Sequence, residues 1–497
     1  MAERFYRAPC PGCGAPVEFR SAQSTHAVCP YCQSTVVRQG EVLSRLGRMA
    51  ELFDDPSPLQ LHTSGRYQDQ PFILIGRLQY QSPTGVWTEW VAWFDDGSQA
   101  FLSEDNGAYV MARPRELQRD MPPASAFRVG ATTAVEGQPY TVAFNGQVSL
   151  RSAQGELPKM PPLGFGFGMV ELRSDQGQVL SLDYSRTPPA LSQGQSVRLE
   201  DLQLSGLKSE SVKEETARQF NCPQCGAAVE VTLASTKTLS CGTCHSLIDV
   251  SQGVGGELRH ALQDEPVAPH IPLGSQGTLE GVAWQVVGFQ HRMGRSPGDD
   301  EAFGWCEYLL YNRQRGFSFL VDTEEGWSLV RPITGAPSLG AGARSATYLG
   351  TRYDLQYSYE AETTYALGEF YWPVARGQRS SNRDYRSAKG LLSLEQTPAE
   401  QTWSSGRKLD AAVVAKAFGV ATPAAGFQTS DAGPTGPLRG LGCGTLIVIA
   451  VVLIVLVLLL SRCSRCDPAV ENCNNGGSYR STGGAYGGYS GGGGSHK

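Results

Sequence analysis

The chain has 497 residues, a formal net charge of −6 and a hydrophobic content of 40%. This length exceeds one ordinary domain and allows two to four, and the apolar content is sufficient for packed cores. The acidic balance argues against nucleic acid as a general partner. The first ten residues, MAERFYRAPC, contain no apolar stretch and no small-residue cleavage site, so we expect no secretory signal peptide.

Eight of the 13 cysteines form two copies of the pattern C-x2-C-x15-C-x2-C. Four thiolates in two C-x-x-C loops suit a tetrahedral zinc ion, and the filled ligand shell leaves no open position for catalysis. Structural zinc contributes roughly 10–16 kcal/mol in isolated fingers, enough to fold a ribbon too small for a hydrophobic core. We predict zinc ribbons at residues 1–40 and 219–252, with two structural Zn2+ ions in all. The predicted ligands are Cys10, Cys13, Cys29, Cys32, Cys222, Cys225, Cys241 and Cys244.

Disulfides and a rubredoxin-like iron site are the alternatives for these cysteines, and a reducing cytosol disfavours the disulfides. His245 follows Cys244 and could replace it as a ligand. The first copy has Gln33 at the same position, so we interpret His245 as a surface residue.

The second half of the chain repeats the first at an offset of 212 residues. After a six-residue insertion, VWTEWVAWF (Val86–Phe94) also matches GWCEYLLYN (Gly304–Asn312). A period of this length indicates a duplicated domain pair rather than a solenoid. The pairs at the constant offset include Phe72 with Trp284, Gly76 with Gly288, and Leu180–Asp183 with Leu392–Glu395.

The predicted fold class is mainly β. Residues 55–207 and 268–420 contain strand-like runs broken by turn signals, and each segment is predicted to form a β-rich unit. Both faces of these runs are largely apolar, so the strands should lie inside a small barrel or roll. Residues 208–218 read as a solvated linker. Residues 41–54 are predicted to form a helical spacer, because four apolar residues fall at helical spacing: Leu43, Leu46, Ala50 and Leu52.

Each unit carries the motif W-x-E in a predicted strand, so that Trp87 and Glu89, and likewise Trp305 and Glu307, share a strand face. These glutamates could serve as a general acid or base. The motif offers no partner carboxylate or histidine, so we interpret both glutamates as structural. No H-E-x-x-H or P-loop pattern is present. We therefore expect no enzyme activity, no catalytic residue and no evident small-molecule substrate.

The C-terminal part reads as a membrane anchor. Residues 421–440 form a predicted tether, and residues 441–460 are uncharged and long enough for one transmembrane helix. Residues 461–497 form a glycine-rich tail that is predicted to be disordered. Arg462 and Arg465 favour a cytoplasmic tail, but the large thiolate-bearing part would then have to cross without a signal. We expect residues 1–440 on the cytoplasmic side of a bacterial inner membrane and the tail outside.

The two units resemble bacterial proteins that carry the domain of unknown function 4178. The resemblance rests on the motif W-x-E-[WY] and on the stretches Gly316–Leu329 and Gly368–Gln378, and it covers most of residues 55–205 and 270–410. Unit one departs from it at Phe144–Gln147, where the aromatic run of Gly368–Gln378 has no counterpart. The resemblance implies no established activity. It implies a genomic neighbourhood of aminopropyltransferase-like and small membrane proteins, which hints at a polyamine or stress context.

The sequence favours a non-enzymatic, membrane-tethered zinc-ribbon scaffold or sensor that binds a protein partner through the duplicated β units. One alternative is a nucleic-acid-binding protein that uses the first ribbon, which has an excess of arginine. The second ribbon has one lysine against two acidic residues, so we expect no nucleic acid partner. A further alternative is an accessory subunit of a membrane or polyamine-related enzyme system. The arginines of the first ribbon are Arg4, Arg7, Arg20, Arg38, Arg45 and Arg48.

Overall fold

Strands of the first half fall into a ribbon and a larger closed sheet. In this computed structural model the described residues are 6–21, 23–39, 42–48, 57–82, 85–105, 107–116, 120–158, 160–161, 164–208, 218–233, 235–251, 258–263, 266–298, 300–313, 315–398, 400–420 and 427. The ribbon strands are β1 (Tyr6–Pro9), β2 (Pro16–Phe19), β3 (His26–Val28), β4 (Ser34–Gln39) and β5 (Val42–Arg48). The sheet strands are β6 (Ser64–Tyr67), β7 (Gln70–Gln81), β8 (Val86–Phe94), β9 (Gln99–Asp105), β10 (Ala108–Arg115), β11 (Thr132–Val135), β12 (Gln138–Leu157), β13 (Gly166–Arg173), β14 (Gln178–Asp183) and β15 (Ala190–Val197).

The second half repeats this order. Its ribbon strands are β16 (Arg218–Asn221), β17 (Ala228–Val231), β18 (Thr238–Ser240), β19 (Leu247–Asp249) and β20 (His260–Ala261). Its sheet strands are β21 (Gln276–Leu279), β22 (Val282–Arg295), β23 (Ala302–Asn312), β24 (Gly316–Thr323), β25 (Gly326–Ile333), β26 (Ser338–Leu339), β27 (Ser345–Tyr348), β28 (Thr351–Phe370), β29 (Arg379–Ser387), β30 (Gly390–Gln396) and β31 (Gln401–Leu409). The helical elements are α1 (Ala411–Phe418) and the 3-10 turns Ala124–Ala126, Leu199–Leu202 and Ala341–Ala343.

Each half closes into a barrel of eight antiparallel strands among the described residues. In the first half the ladder runs β7-β8-β9-β10-β15-β14-β13-β12, and β12 then pairs with β7. In the second half it runs β22-β23-β24-β25-β31-β30-β29-β28, and β28 pairs with β22. Closure removes the sheet edges and creates an interior face and an outer face on every strand. The predicted barrel architecture is thus confirmed, and so is the duplication.

Each barrel closes through a pair of glycines, and the two pairs include the equivalent residues Gly76 and Gly288. Gly76 lies opposite Gly155, and Gly288 lies opposite Gly368. A Cβ at Gly76 would lie 1.9 Å from the carbonyl oxygen of Glu156, so only glycine allows this approach. Gly155 itself has φ of 74°, in the left-handed region that glycine adopts most readily. The predicted Gly76–Gly288 correspondence therefore marks the point of closure.

The outer faces of the barrels are covered by apolar residues from flanking segments. In the first barrel Leu59 and Leu202 pack against Trp90 and its neighbours. In the second barrel α1 takes this position and buries Val414 and Phe418. The helix starts at Asp410, whose side chain accepts a hydrogen bond from the backbone N–H of Ala412, and ends at Gly419 in the left-handed region.

The predicted helical spacer at residues 41–54 is wrong where the structure describes it. Val42–Arg48 is a strand that pairs antiparallel with β4. Leu43 packs against the ribbon core, whereas Leu46 is 57% exposed, so the apolar residues do not form one buried helical face. Pairing with β4 satisfies the backbone of this segment and overrides a weak helical periodicity. Residues 41 and 49–54 lie outside the described residues.

The predicted membrane anchor falls on residues that the structure does not describe. This applies to residues 441–460 and to the tail at 461–497, to the tether at 421–440 apart from Phe427, and to residues 209–217 of the predicted linker. Within the ranges that are described, no helix has both the length and the apolar character needed to span a membrane.

Candidate functional site

Each ribbon brings its four predicted cysteines together. In the first ribbon Cys10 Sγ lies 3.7 Å from Cys32 Sγ, and Cys13 Sγ lies 3.8 Å from Cys29 Sγ. The second ribbon repeats these distances, with 3.7 Å for both corresponding pairs. All four sulfur atoms of each group lie within 4.8 Å of one another. The sequence prediction of the eight ligands as two groups agrees with this geometry.

The sulfur distances fit a tetrahedral metal shell. Four sulfurs at about 2.3 Å from a central zinc ion would lie about 3.8 Å apart, close to the distances found. A disulfide needs about 2.05 Å between sulfurs, and these cysteines are free. The hydroxyl of Ser34 beside Cys32 lowers the pKa of that thiol to about 6, and Ser246 does the same for Cys244. Both groups are therefore positioned to bind a metal ion.

Every cysteine loop turns back through one left-handed residue. Gly14 and Gly226 follow the second cysteine of the first loop in each ribbon, with φ of 77° and 76°. Gln33 and His245 occupy the equivalent position of the second loop, with φ of 56° and 58°. His245 is exposed, as predicted, and serves the turn through its backbone.

The ribbons are joined to the barrels by backbone pairing. Strand β3 pairs with the end of β12, and β18 pairs with the end of β28. One carboxylate secures each junction. The backbone N–H of Ser21 donates to Glu156 Oε2 at 3.0 Å, and that of Leu233 donates to Glu369 Oε2 at 3.0 Å. Both donors lie 11 residues after the first cysteine of their ribbon. We call Glu156 and Glu369 the clamp carboxylates.

A cavity of about 910 Å³ is lined by side chains of both barrels. Its described lining includes seven acidic and four basic side chains together with several aromatic rings. Residues that alternate along β8, β13 and β14 face it, so it includes the interior face of the first barrel. Glu89 and Glu307, which the sequence singled out, both line this cavity.

In the second barrel the carboxylates surround an arginine. Arg292 is 5% exposed and lies 2.9 Å from Glu395 and 3.5 Å from Glu307. It also donates to Ser380 Oγ at 2.7 Å, and its guanidinium carbon lies 5.5 Å from the ring centre of Trp305. The Trp305 indole N–H donates to Glu307 Oε1 at 2.7 Å. This interior is a compensated network of charge-assisted hydrogen bonds.

The first barrel has the same carboxylates but not the arginine. Strand pairing places Tyr80 opposite Trp87, as it places Arg292 opposite Trp305. The Tyr80 ring stacks on Trp87, with centroids 5.3 Å apart. Burial, and then the nearby charge of Asp183, raise the pKa of Glu89 to about 7. The arginine of this interior, Arg173, pairs with Glu171, and no ion pair to Glu89 is found among the described residues.

The interpretation of Glu89 and Glu307 as isolated structural residues missed these partner carboxylates. They come from β13, β14, β29 and β30, far away in sequence. The repeat itself contained the signal, because Leu180–Asp183 and Leu392–Glu395 both end on an acidic residue. Strand pairing also aligns the partners in β13 and β29, through Glu171 opposite Ser181 and Asp384 opposite Ser393.

Replacing a clamp carboxylate should loosen its own ribbon. In Glu369→Gln the amide offers one acceptor oxygen where two oxygens now accept bonds from the loop at residues 232–236. Loss of such bonds costs about 1–3 kcal/mol. We expect hydrogen exchange at the amides of Thr232 and Leu233 to accelerate by about tenfold or more, measured by mass spectrometry. Glu360→Gln, an exposed position on the same strand, is the control, and equal exchange in both variants would contradict the clamp.

The two W-x-E glutamates should respond to mutation with opposite signs. The pKa of Glu89 is about 7 in the folded state, against an ordinary value of 4.5. Between about pH 4.5 and pH 7 the unfolded chain loses this proton more readily than the folded chain does. The free energy of unfolding therefore falls as the pH rises through this range. The amide of Glu89→Gln carries no such cost, so the free energy of unfolding of the variant relative to wild type should increase from pH 6 to pH 8. Glu307→Gln removes a partner of Arg292 and should lose roughly 1–3 kcal/mol at pH 8.

Urea unfolding of both variants and of wild type at the two pH values measures these differences. Any loss of metal at the lower pH is common to all three chains and cancels in the comparison. Destabilisation of Glu89→Gln at pH 8 to the same extent as Glu307→Gln would show that the two interiors are electrostatically alike.

Comparison with known proteins identifies the barrels. Residues 60–199 and 272–411 each match the family model described as Domain of unknown function (DUF4178). The matched segments make up more than half of the chain, coincide with the two barrels, and are each preceded by one four-cysteine group. No curated protein and no solved structure gives a significant match. The chain therefore belongs to the DUF4178 family and carries two tandem copies of its domain.

Proposed function

We propose that this chain is a non-enzymatic scaffold or sensor in which two structural zinc ions stabilise ribbons that extend the barrel sheets. The observation that carries the proposal is the double four-sulfur geometry at the end of two closed barrels. A shell of four cysteines has no open position for a substrate or water. The metal therefore has a structural role, and the ligand-facing or partner-facing surfaces belong to the barrels.

Zinc is the metal we assign to both groups. Zinc has no redox chemistry and accepts tetrahedral thiolate shells in ribbons of this spacing. The two groups share the same distances and the same turn geometry, so one metal should serve both. Iron remains the alternative that the measurement below distinguishes.

We further propose that residues 441–460 anchor the chain in a bacterial inner membrane, with the ribbons and barrels on the cytoplasmic side. The support is the uncharged run from Thr445 to Leu460, which shows no polar face. Cytoplasmic placement keeps the eight ligand cysteines in a reducing compartment.

A protein partner agrees better with the first ribbon than nucleic acid does. Arg7 lies 3.5 Å from Glu18, and Arg38 lies over the rings of Tyr6 and Phe19. Glu18 offsets the charge of Arg7, and the contacts with the two rings fix the guanidinium of Arg38 within the ribbon, so neither side chain is free to follow a phosphate backbone. Tyr31, at the tip of a cysteine loop, is 71% exposed and offers an aromatic contact of the kind enriched in protein interfaces.

Elemental analysis of the full chain tests the metal assignment. Protein produced with ample zinc should hold two zinc ions per chain. Cys10→Ser and Cys222→Ser should each hold one, because each removes a ligand from one group only. Cys306→Ser, a change at a buried cysteine outside both groups, should still hold two. Two iron ions, or fewer than two metal ions in wild type, would contradict the assignment.

Fractionation tests the anchor. We expect the full chain to stay in the membrane after carbonate washing and a chain lacking residues 441–497 to be released, because the uncharged run is then absent. Protease added to intact spheroplasts should leave the ribbons and barrels intact. Retention of the truncated chain would place the membrane contact in the barrels instead, and digestion of the ribbons in spheroplasts would reverse the proposed topology.

A further inference from the structure

The two barrels can be compared position by position, because they share one strand order and repeat the W-x-E motif. Trp87 corresponds to Trp305 and Glu89 to Glu307 in the paired strands β8 and β23. Asp183 corresponds to Glu395, and each lies two residues beyond the serine that pairs with Glu171 in β13 or Asp384 in β29. The repeated framework is therefore one indole and two carboxylates that face the barrel interior.

The second barrel shows what this framework holds. The guanidinium of Arg292 lies 2.9 Å from Glu395, 3.5 Å from Glu307 and 5.5 Å from the ring centre of Trp305. A planar cation between carboxylates and an aromatic face gains both charge-assisted hydrogen bonds and cation–π attraction. The framework is thus a receptor for a guanidinium group, and here the chain itself supplies that group.

The first barrel presents the framework without its cation. Tyr80 occupies the position of Arg292, and among the described residues no ion pair involves Glu89 or Asp183. Arg173, the arginine nearest to these groups in strand β13, is engaged with Glu171 at 2.5 Å. Two half-buried carboxylates without a compensating charge carry a desolvation cost, and a bound cation would reduce that cost.

We propose that the first barrel binds an organic cation with a guanidinium or ammonium head group, held by Glu89 and Asp183 beside the stacked rings of Tyr80 and Trp87. These two carboxylates correspond to the pair that holds Arg292 in the second barrel. The carboxylates face the cavity of about 910 Å³ that both barrels line, and on the side of the first barrel Leu78, Phe101 and Met169 make it partly apolar. This space accepts the apolar body of an organic cation.

A bare metal ion fits the interior less well. Among the described residues, the two cysteine groups are the clusters whose ligand atoms approach within 4.8 Å, and the interior carboxylates do not form one. Carboxylates spaced around a ring match an extended, planar head group better than a small ion that needs several oxygens at about 2.0–2.6 Å. This site goes beyond the proposed scaffold function, and it depends neither on the metal ions nor on the membrane anchor.

Calorimetric titration of the full chain with n-propylguanidine tests the site, because this probe is the arginine side chain without its backbone. n-Butylamine is the ammonium analogue, and n-propylurea is the neutral control of nearly the same shape. We expect both cations to bind at one site per chain and propylurea to bind at least tenfold more weakly.

Three variants locate the site. Tyr80→Arg restores the internal cation and should weaken propylguanidine binding at least tenfold, with thermal stability equal to or above that of wild type. Glu89→Gln removes one carboxylate and should also weaken binding at least tenfold. Glu230→Gln, an exposed change in the second ribbon, should bind as wild type does.

Several results would overturn the proposal. Equal binding of propylurea and propylguanidine would show that charge does not select the ligand. Wild-type affinity in Glu89→Gln would place the binding elsewhere, and this variant decides the matter if Tyr80→Arg does not fold. Failure of the folded wild-type chain to bind either cation would show that the first interior needs no compensating charge. None of these outcomes alters the metal content, so failure here is distinct from failure of the zinc assignment.

Discussion

The antiparallel pairing of β12 with β7, repeated by β28 with β22, is the contact on which the rest of each half depends. It turns a meander of strands into a closed barrel and thereby creates an interior. It requires glycine at positions 76 and 155, where the two backbones approach too closely for a side chain. The same long strand then continues past the point of closure and pairs with the ribbon. Barrel closure and ribbon docking are consequently properties of one strand, and the clamp carboxylate lies directly beside the closing glycine.

The parts of this structure that the sequence predicted are those set by local spacing. The eight cysteines follow a fixed pattern, and within each ribbon the two C-x-x-C loops must converge if their four sulfur atoms are to bind one metal ion. The duplication was visible as a constant offset, and glycines 76 and 288 proved to be equivalent in the structure as well. The alternation of side chains along a strand places Trp87 and Glu89 on one face. Apolar residues on both faces of the strands predicted a barrel or roll.

The parts that the sequence did not predict depend on long-range pairing. Val42–Arg48 has a weak helical pattern, but an available partner in β4 makes it a strand. Glu89 looked isolated, because Asp183 approaches it only after the barrel closes around both. The clamp carboxylates bind backbone N–H groups more than 130 residues away, a distance over which local patterns carry no information. The alternation of apolar residues predicts which face of a strand a side chain lies on. It does not predict which side chain of a distant strand lies opposite it in the barrel.

Divergence between the two interiors has a consequence for signalling. The second barrel supplies its own cation through Arg292, so its two carboxylates need no dissolved cation for compensation. The first barrel, if occupied as proposed, gains stability with ligand concentration according to mass action. One chain would then contain a barrel whose stability depends on the ligand concentration and a barrel whose interior cation is permanent. Both barrels experience the same temperature and salt concentration. A partner that contacts both barrels could respond to the difference between them rather than to either one alone.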